Sequence, residues 1–225
     1  MKKYQYQYVT EFLEKEVPHK LIHRALHYTW LNTPSKNNFM NYNVHVIKAE
    51  KSELRESLYY KVLAQQMRAN GDDYADIKEY EKHLYNNNIN VNFRNIKSAP
   101  YIFIYTQRVV LTTNPFQKEK IQKGMVFEQT FSKGTKKYHS ASGIAKFESG
   151  MFSANFTTEC LRLGIDVSHV GCIPDLEYWQ EPEWSFILDK PIIIQLAGYG
   201  KHYRRDYLSL KKDRKPQFEE VVNLV

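Results

Sequence analysis

Cysteine is scarce in this 225-residue chain, with only Cys160 and Cys172 present. Two thiols support neither a disulfide framework nor a zinc-ligand spacing. Cys160 falls inside an apolar helical pattern, where an inert core thiol is expected. Long apolar runs are missing, so no segment reaches membrane-spanning length. The opening MKKYQYQYVTEF is too polar for a secretory signal. A soluble, cytoplasmic protein with no membrane partner is expected. The familiar catalytic motifs are absent as well: no GxSxG, HExxH, GxGxxG or P-loop glycine run occurs. The histidines are scattered without metal spacing. His19, His23 and His27 stand at i, i+4 and i+8 but lack a carboxylate or Cys partner, so an exposed helix face is expected and no metal site. No repeat, low-complexity linker or shift in composition marks a boundary, and a single domain over 1–225 is expected.

What is present is an ordinary globular balance, 42% apolar and 25% charged, with an unusual supply of 17 Tyr and 12 Phe. Tyrosine buries a ring while keeping a polar tip wet, which suits interfaces and flat-ligand pockets. Abundant Asn and Lys make biased codon usage an equal explanation. The net charge of +7 and pI near 9.1 raise nucleic acid, anionic membrane or a phosphorylated small molecule as partners. The charge concentrates in the C-terminal KHYRRDYLSLKKDRK. No recognition motif or arginine-rich helix accompanies it, so nucleic acid is not the expected partner.

Periodicity marks helices and strands in alternation. A helix is expected over 18–31, with Pro18 in its first turn and Ile22, Ala25, Leu26, Thr29 and Trp30 on one face. Residues 43–49 alternate as a half-buried strand. A second helix over 52–69 has Ser52 at its N-cap and Leu54, Leu58, Val62 and Met67 inward. A third, more polar helix covers 73–85 and stops at three asparagines. APYIFIYTQ (99–107) reads as a strand buried on both faces. Residues 112–142, with weak periodicity and many aromatics, read as an excursion covering a pocket. The strongest helix spans 147–164, with Phe147, Met151, Ala154, Thr158 and Leu161 on one face, widened by Asn155, Cys160 and Leu163, and Gly164 at its end. It is expected to be central. KPIIIQLAGYG (190–200) is another buried strand. Few strands lying between helices make an α+β fold, a modest sheet wrapped by helices.

No reactive constellation appears, but three polar junctions do: TPSKNN (33–38), GIDVSHVG (164–171) and KKDRKP (211–216). Binding junctions without a nucleophile suit a protein whose chemistry is carried by a cofactor. In order and spacing they resemble the nitroreductase family of FMN-dependent NAD(P)H oxidoreductases. The resemblance begins at VPHKLIHRALHYTWLNTPSKNNFMNYNVHVI (17–47), where the family runs from a V-P-led helix into A-P-S-x-x-N-x-Q-P-W and a strand. It continues in APYIFIY, SANFTTECLRLGID, SHVG, IIIQLAGYG and KDRKPQFEEVV. It thins over 70–98 and 112–142.

The resemblance implies a central, mostly antiparallel sheet and a homodimer with a C-terminal extension exchanged between subunits, which suits apolar Val221, Val222 and Leu224 in the tail. It implies FMN as cofactor and NAD(P)H as reductant. Pro34, Ser35, Lys36, Asn38 and Met40 would face the flavin ring edge, and His169, Val170 and Gly171 would bring backbone to N5. Lys212 and Arg214 would hold the phosphate, a role that side chains two apart on an extended segment can share. Where the family carries R-x-S-x-R at that phosphate, this chain has Tyr6, Tyr8 and Thr10. Phe116, Phe127, Phe131 and Tyr138 would wall the substrate pocket, and no side chain need act as a catalytic residue. Hydride would pass through the flavin to an electron-poor aromatic such as a nitro compound or quinone. The alternative is a flavin-binding or degenerate protein of the same fold with altered or specialised activity.

Overall fold

A computed structural model describes residues 9–35, 40–87, 95–108, 143–188 and 190–202. Its centre is β3 (Tyr101–Gln107), whose seven residues are all buried, as the continuous β-branched and aromatic run leads one to expect. It pairs antiparallel with β2 (Tyr42–Lys48) on one side, Val44 opposite Tyr105, and with β5 (Ile193–Gly198) on the other, Phe103 opposite Gln195. Strand β4 (Asp166–His169) closes the sheet against β5, also antiparallel, in the order β2-β3-β5-β4. A separate ribbon joins β1 (Val9–Phe12) to β6 (Gly200–His202).

The period-2 alternation of β3 divides the core in two. Ile102 and Ile104 pack with Leu58, Tyr59, Val62 and Leu63 of α2 (Ser52–Asn70). Tyr101, Phe103 and Tyr105 belong to a second cluster with Ile22 and Ala25 of α1 (His19–Asn32) and Phe152, Phe156 and Cys160 of α5 (Gly143–Arg162). Helix α3 (Ile77–Asn86) adds Tyr80 and Leu84 to the first cluster, and the short α4 (Asn95–Ser98) adds Ile96. Two 3-10 turns, Leu176–Trp179 and Pro182–Trp184, wedge Trp179 and Trp184 into the same side. Among the described residues no helix is long and apolar enough to cross a membrane.

The helix ends follow local chemistry with three adjustments. Pro18 stands one residue ahead of α1 rather than in its first turn. Ser52 is the first residue of α2 and Lys51 the cap, with no side-chain capping bond. Helix α3 starts at Ile77 because the Asp76 carboxylate accepts the Lys78 N–H at 2.9 Å, which caps the helix there. Gly71 ends α2 in the left-handed region at φ 74°, and Gly164 follows α5 at φ 75°.

The face of α5 corrects the sequence reading. The buried residues are Ala145, Glu148, Ser149, Phe152, Ser153, Phe156, Glu159 and Cys160. Phe147 is 66% exposed, Ala154 and Thr158 face solvent, and Met151 and Leu161 are half-buried. Two stripes compete on this helix, and the one containing polar residues faces inward. On α1, Trp30 likewise turns outward at 51% exposure, while Ile22, Ala25 and Thr29 are buried. The expected excursion at 112–142 lies outside the described residues, as does the C-terminal tail with Val221, Val222 and Leu224.

Gly198 sits where a Cβ would lie 2.6 Å from Pro100 Cδ and 2.7 Å from Phe12 Cδ1. Gly198→Ala is expected to destabilise by about 1–3 kcal/mol through overpacking. Phe156→Ala, which empties a fully buried site, should cost about 3–5 kcal/mol. Denaturant midpoints at unchanged m check both.

Candidate functional site

The junction after α1 is held from inside. Glu148 on α5 is buried to 2% exposure, and its carboxylate receives the loop at two points. The Ser35 hydroxyl donates to Oε1 at 3.0 Å. The Asn41 backbone N–H and side-chain Nδ2 both donate to Oε2, at 3.0 and 3.1 Å. Ser35 Oγ also accepts the Met40 N–H at 2.8 Å. Asn155 of α5 donates to Thr33 Oγ1 at 3.0 Å, and the Arg108 N–H donates to the Asn41 carbonyl at 3.1 Å. A carboxylate taken out of water is costly unless hydrogen-bonded, and bonds to a charged acceptor return about 1.5–3 kcal/mol each. Three of them offset the desolvation. Between these anchors Met40 adopts φ 49°, a left-handed conformation costing a side-chain-bearing residue about 1–2 kcal/mol. The Tyr42 hydroxyl donates to its sulfur at 3.4 Å.

The second junction is organised by a buried glutamine. Gln195 of β5 lies opposite His169 of β4 and is fully buried. The Tyr105 hydroxyl donates to Gln195 Oε1, and Gln195 Nε2 faces the Ser153 carbonyl at 3.1 Å and Thr157 Oγ1 at 3.0 Å. A carbonyl can only accept, so the amide orientation is fixed. Gln195 Nε2 also stands 2.8 Å from His169 Nε2, and Ser153 Oγ stands 3.2 Å from it. An amide nitrogen cannot accept, so the 2.8 Å contact is a hydrogen bond only with His169 Nε2 as acceptor and the ring proton on Nδ1, the two amide hydrogens being shared among the three groups. The imidazole is exposed along one side, while burial of the other side lowers its pKa from the ordinary 6.5. The Val170 N–H donates to the Ile194 carbonyl at 3.0 Å. Gly171 is exposed, a Cβ there would meet nothing within 4 Å, and its N–H has no hydrogen bond among the described residues.

Helix α5 brings the junctions together. Glu148, which grips the first, and Ser153, which touches the second, are five residues apart on its buried side, about 7.5 Å along the axis. Phe152 lies between them and packs against Tyr42 and Tyr105, with ring centroids 5.3 and 6.0 Å away. Of the expected cofactor residues, Ser35 and His169 thus meet residues of one helix and Met40 is bonded to Ser35, Val170 and Gly171 follow His169 in the chain, and Pro34 is exposed. Ser35 directs its hydroxyl hydrogen to Glu148. The backbone of Thr10 runs in β1. Tyr6, Tyr8, Lys36, Asn38, Lys212 and Arg214 lie outside the described residues, as do Phe116, Phe127, Phe131 and Tyr138.

Sequence reasoning passed over Glu148, Ser153, Tyr105 and Gln195. The signal available was a lone Glu and a lone Gln within otherwise apolar stretches, FESGMF and IIIQLAG. Elsewhere, His19, His23 and His27 form an exposed ladder along α1 with ring centroids 6.4 and 6.3 Å apart. Among the described residues no group of three His, Cys, Asp or Glu is arranged to hold a metal ion. Burial raises the pKa of the Cys160 thiol well above its ordinary value, with Glu159 adding to the effect, so the thiol stays protonated and inert.

No family model matches the chain, and no curated protein matches its sequence. Solved structures do match, and they define its class: this is the nitroreductase fold. A nitroreductase family protein from Clostridium difficile aligns with a TM-score of 0.57 at 14% identity, over 98% of this chain and 94% of its own. A BluB-like flavoprotein from the same species aligns at 0.56 and 16% identity, over 98% and 95%. An FMN-dependent nitroreductase, also from C. difficile, aligns at 0.51 and 11% identity, over 96% and 97%. The chain spans 64% of the length of a longer neighbour from Bacteroides fragilis.

The histidine geometry sets a pH dependence. His45, whose Nε2 lies 2.9 Å from Thr106 Oγ1, is lowered by burial as His169 is. Both bind a proton more weakly folded than unfolded. Their contribution to stability is therefore present above pH 6.5 and is lost as pH falls from there through the lower folded values. His169→Gln should lessen that loss in urea titrations at stepped pH. Nitrogen-15 NMR should find His169 neutral at pH 7 with its proton on Nδ1. A charged ring or an Nε2 proton would contradict the assigned network.

Proposed function

We propose that this protein is an FMN-dependent oxidoreductase that takes hydride from NAD(P)H and delivers it to an electron-poor aromatic, a nitro compound or quinone. The observation that carries the reading is the convergence on α5 of the two junctions the resemblance assigns to the flavin. Its support is the nitroreductase fold, with a flavoprotein and an FMN-dependent nitroreductase among the structural neighbours.

The described residues suit such a cofactor. Gly171 is exposed and its N–H has no hydrogen bond among the described residues, as a donor to a flavin N5 would need. Ser35 is anchored on Glu148 and Met40 on Ser35, and Lys36 and Asn38 would face the ring edge as the resemblance implies. The neutral His169, its Nε2 tied to Gln195, would contribute backbone and a fixed ring beside N5. Lys212 and Arg214, with Tyr6, Tyr8 and Thr10, would hold the phosphate. Phe116, Phe127, Phe131 and Tyr138 would wall the acceptor site. Bound FMN would supply the two-electron chemistry. No side chain of this chain would act as nucleophile, and its work would be to bind, orient and exclude water.

Purified protein should show flavin absorption as isolated or after FMN addition, and should then oxidise NADH or NADPH when a quinone or nitroaromatic is present. Protein that shows no flavin bands with added FMN overturns the reading. Met40, held in a left-handed conformation where the family carries glutamine, favours one alternative: flavin binding with altered activity. It would show as flavin uptake without NAD(P)H oxidation.

A homodimer belongs to the same proposal, with loops of both chains at the site and the C-terminal extension exchanged. Its support is the outer face of the α1–α5 pair. Phe147 of α5 is 66% exposed, and Leu31, Tyr28 and Trp30 of α1 are exposed as well. Water-facing apolar residues on a central helix are what a partner would cover. Light scattering should give twice the chain mass of 26.7 kDa. A monomer at micromolar concentration would remove both the dimer and a shared site.

A further inference from the structure

Glu148 is a buried acid with no part in the hydride chemistry proposed above. Packing alone would be served as well by an apolar residue, since burying a carboxylate carries a desolvation cost that a hydrophobic side chain avoids. What the carboxylate does is specific. One oxygen receives Ser35 and the other receives both donors of Asn41, so a single side chain on one helix fixes both residues. Met40, next to Asn41, has its left-handed backbone further held by its N–H on Ser35.

We infer that Glu148 is the positioning residue that sets Ser35, Met40 and Asn41 at the geometry in which they receive the cofactor, an inference that rests on the flavin reading. The role depends on reach and hydrogen-bonding pattern rather than on charge. A glutamine of equal length keeps an oxygen for the two Asn41 donors and turns its amide toward Ser35 Oγ, which can accept. An aspartate keeps the charge but is one methylene shorter and cannot reach both residues from the same helix position.

Glu148→Asp and Glu148→Gln therefore separate the explanations. FMN titration of each variant, followed by flavin fluorescence at a temperature where both are folded by circular dichroism, reads the effect. Glu148→Asp should weaken FMN binding by about tenfold or more, the consequence of losing one charge-assisted hydrogen bond. Glu148→Gln should stay within about threefold of wild type, less than the loss of one neutral hydrogen bond. Amide exchange without FMN supplies a second readout: the Met40 and Asn41 N–H groups should lose protection in Glu148→Asp and keep it in Glu148→Gln. If wild type binds FMN and Glu148→Asp binds it equally well, the inference is overturned alone. If Glu148→Gln falls as far as Glu148→Asp, reach and hydrogen-bonding pattern do not account for the effect and the inference is likewise overturned. Wild type that binds no FMN overturns the flavin reading and this inference with it.

Discussion

A carboxylate cannot sit in a protein interior without donors, and that constraint shapes this molecule around Glu148. Because α5 turns this acid inward, the chain leaving α1 must bring polar groups to it, and Ser35 and Asn41 do so. The placement of Asn41 in turn fixes where β2 begins, since Tyr42 is the first strand residue and pairs with Gln107. From there the register runs through β3 to β5 and β4. A hydrogen-bond requirement on one helix is thus continuous with the register of the sheet.

The same helix carries a second polar arrangement about 1.4 turns on, also on its buried side. Ser153 meets both Gln195 and His169, and Tyr105 completes the contact from the central strand. Buried polar networks of this kind are stabilising only when every member is satisfied. Here the satisfaction also removes freedom, because the Gln195 amide can point one way and His169 can hold one tautomer. Ser35, Asn41 and the end of β4 are thereby held by buried side chains of α5 and β5.

The inner face of α5 is consequently polar in places, and its outer face is apolar in places. This inversion separates what could be read from the sequence from what could not. Strand β3 was legible because a run such as YIFIYTQ is compatible with little except a strand buried on both faces. The end of α5 at Gly164 and the end of α1 before Pro34 were legible because glycine and proline act through their own backbones. The ordered junctions identified the fold, which the structural neighbours match at identities of 11 to 16%. The orientation of α5 was not legible. Phe147, Ala154 and Thr158 read as core by periodicity and face solvent in the structure, while Glu148 and Ser153, which periodicity left off that face, are buried.

The sequence by itself determined the local elements, the α+β class and the two segments that form the described part of the candidate site. Those properties depend on propensity, alternation and backbone punctuation, all of which act between near neighbours in the chain. Only the tertiary structure decided that Ser35 and Asn41 share one carboxylate, that His169 holds its proton on Nδ1, and that both junctions rest on the same helix. Those depend on which polar groups satisfy one another across more than a hundred residues in the case of Glu148. A buried polar residue is defined by its partner, and a single sequence does not name the partner.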